Sequence, residues 1–134
     1  MRFDTKIAVA VRRDLAVWQK LNVTAFLASG IAAGVPELIG KPYEDADGNT
    51  YLALLGQPVL VFTGDDLHAA FTRATGRGLP VAVYTDDMFG TGNDEDNRAV
   101  VRAVAAGELR LAGFAVHGPR NAVDKICKGL ALHE

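Results

Sequence analysis

The stretch TKIAVAVR, residues 5–12, decides the fold class. It is a short, nearly continuous apolar run with β-branched residues, which is typical of a strand that is covered on both faces. Such a strand requires helices above and below its sheet. The run is too short for a membrane span or a signal core, and it ends in two arginines, so it predicts a central strand of a cytoplasmic protein that does not enter a membrane.

A helical pattern follows over residues 15–33 and ends at Gly34 and Pro36. The helical spacing of its apolar residues predicts a buried stripe. That stripe consists of Val17, Leu21, Ala25, Ala28 and Ala32. The segment Asp47-Gly48-Asn49 then predicts the turn of a hairpin, because these residues tolerate a positive φ.

Strands and helices continue to alternate in the rest of the chain. The patterns predict strands at 58–64, 80–85 and 109–118, and helices at 65–78, at 94–106 and from Pro119 onward. The core stripes of these helices are predicted as Leu67, Ala70, Phe71 and Ala74, then Val100, Val101 and Val104, and finally Val123, Ile126, Cys127 and Leu130. This order predicts a single domain over residues 1–134, an α/β fold with three α/β/α layers around a mixed, mainly parallel sheet of four to five strands.

Composition and motifs exclude several classes of function. The net charge is −2, from 14 Lys and Arg against 16 Asp and Glu, so the chain lacks the basic footprint of a nucleic-acid binder. Cys127 is the only cysteine, which excludes an intrachain disulfide and a zinc ribbon. The dinucleotide, Walker-type and α/β-hydrolase motifs are absent, and the three histidines lack metal-ligand spacing. We therefore expect no metal and no cofactor, although a divalent ion beside Asp86 and Asp87 stays open.

The loop YTDDMFGTGNDEDNR, residues 84–98, holds five carboxylates directly after an apolar run. Asp94, Glu95 and Asp96 suit the first turn of a helix, with Asn93 or Asp94 as its N-cap. Asp86 and Asp87 instead follow a predicted strand, where ligands collect in sheets of this type. The loop is therefore divided between a helix start and a candidate site.

Other polar residues are expected at the same edge of the sheet. Arg12 and Arg13 follow the first strand, and Lys20, Asn22 and Thr24 lie on the first helix. Together with the two acids, such a cleft is suited to positioning and polarising a small polar substrate. An ion-pair network that only stabilises the fold explains the same charges equally well, with Arg12 or Arg13 paired to Asp14 or Asp86.

Three blocks resemble the archaeal and eukaryotic type of peptidyl-tRNA hydrolase, which is the type II fold. They are KIAVAVRRDL, the strand that ends in YTDD, and LAGFAVHGPRNAVDKICKGLAL, and the likeness extends through nearly all of the chain in element order. The chain resembles even more closely an uncharacterised bacterial family that is known only as a domain of unknown function. Members of that family have similar WQKLNVTAFLASG and DMF stretches. The resemblance implies the hydrolase-type sandwich and a homodimer.

The resemblance also implies functional residues, but the hydrolase site is incomplete. Lys20 stands for a family lysine, Thr24 takes the place of a glutamine, Asp86 matches an Asp used in catalysis, and Thr91 is slightly displaced from a family Thr. The histidine that the family carries on its first helix is missing. The net charge also disfavours tRNA as a partner.

From the residues and the resemblance together, we predict two sets of site residues. The catalytic set is Lys20, Asp86, Asp87 and Thr91, and the substrate-binding set is Arg12, Arg13, Asn22 and Thr24. Three functions stay open: a hydrolase-like acid/base enzyme for a small polar substrate, a non-catalytic metabolite-binding module, and tRNA-linked ester hydrolysis with a substituted site. Perturbed pKa values among Lys20, Asp86 and Asp87 would favour the acid/base enzyme. An apolar pocket around Trp18, Phe26 and Phe89 would favour the metabolite-binding module. A basic groove would favour tRNA-linked ester hydrolysis, and its residues would be Arg12, Arg13, Lys20 and Arg120.

Overall fold

The computed structural model describes residues 3–134. Four helices, seven strands and three short 3-10 turns follow one another in this part of the chain. The helices are α1 (Val17–Gly34), α2 (His68–Gly76), α3 (Asp94–Arg102) and α4 (Arg120–Ile126). The strands are β1 (Thr5–Arg12), β2 (Tyr43–Glu44), β3 (Thr50–Tyr51), β4 (Val59–Gly64), β5 (Val81–Thr85), β6 (Leu111–Pro119) and β7 (Ala131–Leu132). No helix of the described residues is both long and apolar enough to span a membrane.

Five strands form the central sheet in the order β5-β6-β1-β4-β7. β1 pairs parallel with β4, but it pairs antiparallel with β6, and the β5–β6 and β4–β7 pairs are also antiparallel. The sheet is therefore mixed, as predicted, but the prediction that it is mainly parallel is wrong. A parallel pairing of β5 with β6 would require a crossover along the whole sheet. α3 instead packs beside the 3-10 turn Asp86–Gly90, so the chain stays at one edge of the sheet and β6 turns back.

β1, β4 and β5 nevertheless point in one direction, because β6 separates β5 from β1 and reverses between them. Their carboxyl ends share one edge of the sheet, which we call the carboxyl edge. β6 ends at the opposite edge and carries His117 there, as expected for an antiparallel last strand. The topology therefore still brings Arg12, Gly64 and Asp86 to the same edge.

Helices cover both faces of the sheet, which gives three layers. Side chains alternate along β1, so that Ile7, Val9 and Val11 pack with α1, whereas Ala8 and Ala10 pack with α2 and α4. We call these two sides the α1 face and the α2/α4 face. The stripes predicted for α2 and α4 are buried on the α2/α4 face, with Leu130 partly buried beside them. α3 ends at Arg102 rather than 106, and Val101 and Val104 only partly pack against that core.

The stripe predicted for α1 is wrong. Val17 is 73% exposed and Leu21 is 67% exposed, whereas the buried residues are Val23, Leu27 and Ile31. α1 carries apolar residues around its whole circumference, so its periodicity does not identify the side that faces the sheet. Gly113 on β6 permits this orientation, because a Cβ there would lie 2.7 Å from the Ala10 carbonyl oxygen and 2.8 Å from Val23 Cγ1.

The predicted hairpin is confirmed. β2 and β3 pair antiparallel, with Tyr43 opposite Tyr51, and Gly48 takes a φ of 85° in the turn between them. The segment leaves the end of α1 and returns to the start of β4, and Ile39 pairs with Leu55 at its base. We call residues 39–55 the arm.

Candidate functional site

The predicted site residues at the carboxyl edge lie in three different places. Arg12, Arg13, Asp86 and Asp87 belong to ion pairs, Asn22 and Thr91 line an aromatic pocket, and Lys20 and Thr24 line an apolar groove. The predicted catalytic set therefore does not meet in one cavity.

The ion pairs are centred on Arg12, which lies at the end of β1. Its Nε is 2.6 Å from an Asp14 carboxylate oxygen, and one terminal nitrogen is 3.0 Å from Asp86 and 2.9 Å from the Leu111 carbonyl oxygen. Partial burial opposes the charge of Arg12, but the hydrogen bonds to Asp14 and Asp86 outweigh it and raise the pKa of the guanidinium. The prediction that an arginine here pairs with Asp14 or Asp86 is confirmed, since Arg12 contacts both.

The neighbouring charges are paired in the same way. Arg13 lies 2.6 Å from Asp65, and Arg110 lies 2.6 Å from Asp87. A cleft of about 370 Å³ opens between these pairs, and its lining includes Asp65, Asp86 and Arg110. Since both signs of charge meet here at hydrogen-bonding distance, the arrangement has the form of a stabilising ion-pair network.

The second place is a pocket of about 380 Å³ on the α1 side of the carboxyl edge, which we call the aromatic pocket. Trp18, Asn22 and Phe26 reach it from successive turns of one side of α1, because residues four apart lie above one another on a helix. Tyr84 reaches it from the end of β5 and Phe89 from the following 3-10 turn. The remaining lining residues are Met88, Thr91, Gly92, Asn93, Asp94 and Asn97.

Ring contacts hold the wall of the aromatic pocket together. The Tyr84 ring centroid lies 5.6 Å from that of Phe26 and 5.1 Å from that of Phe89, and Phe89 in turn lies 6.2 Å from Trp18. These separations are typical of edge-to-face and tilted aromatic pairs, which add stability beyond their buried area. The four rings therefore form one continuous apolar surface.

Uncharged polar groups complete the pocket. Burial raises the pKa of Tyr84, and the nearby Asn22 side chain only partly opposes the shift. The Thr91 hydroxyl lies 2.9 Å from the Met88 carbonyl oxygen and also contacts the Asn97 side chain. The segment 91–97 is therefore held by its own hydrogen bonds.

The acidic loop divides as predicted. The Asn93 side chain caps α3 by accepting a hydrogen bond from the Asp96 backbone N–H at 2.8 Å. Asp94, Glu95 and Asp96 fill the first turn, and Arg98 pairs with Asp94 and Glu95. These acids start a helix, whereas Asp86 and Asp87 pair with arginines.

The third place is a groove of about 550 Å³, which we call the apolar groove. It runs between α1 and β4 and is lined mainly by Val11, Val17, Leu21, Ala25 and Val61. Lys20 lies at its rim, 3.3 Å from the Nε2 atom of His133. The Thr24 hydroxyl donates to the Lys20 carbonyl oxygen at 2.8 Å, so this hydroxyl is used within the helix.

Other residues considered from the sequence lie away from these three places. Arg120 donates to the Phe3 carbonyl oxygen at the edge where β1 begins, so the four cations proposed for a basic groove do not form one. Cys127 is buried, and burial raises the pKa of its thiol to about 11, which agrees with core packing. Residues 3–134 contain no cluster of three or more His, Cys, Asp or Glu side chains that is able to hold a metal ion.

Sequence reasoning missed Tyr84 and Asn97 as pocket residues. A signal for Tyr84 was present, because an aromatic residue with a polar tip stands at the end of a buried strand. Asn97 lies four residues after the cap Asn93 and therefore on the same side of α3. Whether that side faces the pocket depends on how α3 packs, which the sequence does not show.

Comparisons with known proteins show the family. None of the curated proteins matches the chain significantly. A solved structure of a protein of unknown function from Agrobacterium tumefaciens strain C58 is similar to it, with 47% sequence identity over 99% of this chain and 100% of that chain, and with a TM-score of 0.96. The model of the protein family of unknown function DUF2000 matches residues 5–134. The chain therefore belongs to the DUF2000 family.

Proposed function

We propose that the protein binds a small, uncharged, planar molecule in the aromatic pocket and acts as a non-catalytic binding module. One observation carries this proposal: four aromatic rings and the side chains of three asparagines border a single pocket. Small-molecule sites combine an apolar surface with a few fixed polar groups that orient the ligand.

The chemistry of the lining selects the class of ligand. The rings offer surface for stacking, which suits a planar partner. Asn22 and Asn97 each carry an amide that is able to donate and to accept hydrogen bonds, which suits a ligand edge with both donors and acceptors, whereas the Asn93 amide is engaged by the cap of α3 and by Asp96. Asp94 is the one charged residue in the lining, and Arg98 pairs with it. A heterocycle with an amide-like edge meets these requirements.

The two other functions have less support. Asp86 and Asp87 are engaged by Arg12 and Arg110, so their carboxylates are not free to act as a general acid or base. Peptidyl-tRNA hydrolysis would require cations that follow a phosphate backbone, and Arg120 lies at the far edge from Arg12. The hydrolase-type sandwich and its substituted site therefore stay an inference from the sequence resemblance alone.

Ligand binding is measurable directly, because Trp18 is the only tryptophan of the chain and lies in the pocket wall. We expect a saturable change of its fluorescence with nicotinamide, uracil or adenine. We expect none with glucose, which is polar and uncharged like these heterocycles but is not planar. Asn22→Leu removes the central amide and should weaken binding roughly tenfold or more, since an unpaired buried polar group costs about 1–3 kcal/mol.

Asn121→Leu is the matched control, because Asn121 is exposed on α4, away from the pocket. It should leave the affinity unchanged. The proposal is rejected if calorimetry and fluorescence detect no saturable binding of any of these heterocycles up to about 10 mM, which corresponds to almost no useful affinity. Equal affinities of the wild type and Asn22→Leu would also reject it.

A further inference from the structure

We propose that two copies of this chain associate through reciprocal contacts, in which the arm of each copy docks into the apolar groove of the other. The arm carries exposed apolar side chains, and α1 contributes the exposed Val17 and Leu21 to the wall of the groove.

The exposed apolar residues are concentrated on one side of the molecule. Within residues 3–134, ten large hydrophobic side chains are exposed, and nine of them belong to α1 or to the arm. The tenth, Leu132, lies on β7 opposite Phe62, whose side chain packs on the α2/α4 face. Soluble proteins rarely leave contiguous apolar surface exposed without a partner for it.

The arm is a preformed element. The Asp45 carboxylate accepts hydrogen bonds from the Asn49 backbone N–H at 3.0 Å and from the Tyr51 hydroxyl at 2.7 Å. At its base, the Gly40 N–H donates to the Leu54 carbonyl oxygen at 2.8 Å. A segment already ordered before association loses little conformational entropy when it docks.

The arm presents side chains that one copy does not bury. Leu52 is 88% exposed and Leu54 is 63% exposed, and the Tyr43–Tyr51 pair stands beside them. Leu38 and Leu55 at the base of the arm do pack against the core of the α1 face. The arm is therefore anchored by one set of leucines while it offers another set to a partner.

The apolar groove has the size and the surface to receive these side chains. Its volume is about 550 Å³, and its floor is formed by Val11, Val61 and the side of α1 that carries Val17, Leu21 and Ala25. Several leucine- or tyrosine-sized groups fit into such a volume. Burial of apolar surface on both partners drives association of this kind.

Charges at the two surfaces are complementary. The arm contains three acids, Glu44, Asp45 and Asp47, against one cation, Lys41. Lys20, His133 and Glu134 line the groove. Within residues 3–134, Lys20 contacts His133 but forms no salt bridge with a carboxylate, Glu134 included. An acidic arm that enters beside Lys20 supplies the missing partner and fixes the direction of docking.

The positions of the two surfaces permit a closed dimer. The groove lies near the carboxyl edge, since it is lined by the end of β1 and the first half of α1. The arm leaves from the end of α1 and rejoins the chain before β4, and so lies toward the opposite edge of the same face. A two-fold axis across the strand direction places each arm against the other copy's groove, which is the isologous arrangement of most homodimers.

Sedimentation and light scattering of the full chain test this interface. We expect a wild-type dimer, and a shift toward monomer in Leu52→Glu on the arm and in Leu21→Glu in the groove, by at least tenfold in the dissociation constant for each. Both residues are exposed, so both variants should fold, which circular dichroism checks. Thr72→Glu is the control, because it places the same charge at an exposed residue of α2, on the other face, and should remain a dimer.

Mixing the two variants distinguishes arm-to-groove docking from any other contact of the same face. In a mixed dimer, the intact arm of the Leu21→Glu copy meets the intact groove of the Leu52→Glu copy. One of the two contacts is restored, so the mixture should dimerise more tightly than either variant alone. A monomeric wild type, a dimer that neither variant weakens, or a mixture no tighter than its components would each overturn the proposal.

Discussion

The two faces of the central sheet belong to the same strands, yet they differ in how completely their apolar residues are buried. On the α2/α4 face, Phe71 and Phe114 are buried and pack at 5.9 Å between ring centroids. On the α1 face, only one stripe of α1 is buried, and the other apolar residues of this helix line the aromatic pocket and the apolar groove. The α2/α4 face is a closed core, whereas the α1 face combines a core with a pocket and a groove that remain exposed.

This difference shows why apolar content alone does not reveal a core. α1 carries three stripes, one for the sheet, one for the pocket and one for the groove, and all three are apolar or partly apolar. A helix that is apolar on every side is expected in a fully buried place. Here it lies at the surface, so its apolar content does not identify the side that is buried.

The largest expected effect contrasts a phenylalanine from each face. Phe114 is 1% exposed, so Phe114→Ala should lower the free energy of unfolding by about 3–5 kcal/mol, through lost burial and a cavity. Phe26 is 51% exposed at the mouth of the aromatic pocket, so Phe26→Ala should cost roughly 1 kcal/mol or less. Urea unfolding followed by circular dichroism measures both. Similar losses in the two variants would mean that the α1 face is as closed as the other.

An intermediate effect tests the one part of α1 that is tightly packed. Gly113→Ala places a methyl group against the Ala10 carbonyl oxygen and Val23, so it should destabilise the fold by about 1–3 kcal/mol. Gly34→Ala is the control, because no atom lies within 4 Å of its new Cβ at the end of α1. Thermal unfolding should show a lower Tm for the first variant and an unchanged or higher Tm for the second. An unchanged Tm for Gly113→Ala would show that α1 is able to move outward freely.

The smallest effect concerns pH and the α1 face near His117. Burial lowers the pKa of His117 below its usual 6.5, and the negative charge of Glu37 only partly opposes the shift. The unfolded chain therefore binds a proton more readily than the folded one, so this contribution to stability is complete above pH 6.5 and decreases as the pH falls through 6.5 toward the lower folded pKa. His117→Gln should weaken the loss of stability over that range, as measured by urea unfolding at several pH values.

Glu37→Gln provides the opposite control for His117. It removes the attraction that favours the charged imidazole, so the folded pKa should fall further and the loss of stability on acidification should become larger. A smaller loss in Glu37→Gln would contradict the proposed attraction between Glu37 and the charged imidazole of His117.

The sequence by itself determined the order of the elements, except for the short strand β7 and the 3-10 turns, which it did not predict. The apolar run of β1, the hairpin turn at Gly48, the cap at Asn93 and the stripes of α2 and α4 all follow from local rules, because each depends on residues close together in the chain. The same reasoning also grouped Trp18, Phe26 and Phe89 as a candidate apolar pocket, and it brought Arg12 and Asp86 to one edge of the sheet.

Only the tertiary structure decided the direction of β6, the buried side of α1 and the separation of the site residues into three places. The direction of β6 depends on whether α3 crosses the sheet, and a nine-residue helix is compatible with either course. The side of α1 that is buried depends on the close approach at Gly113, between residues distant in sequence. Each of these choices rests on packing between elements, and a local pattern carries no information on which partner an apolar side chain will meet.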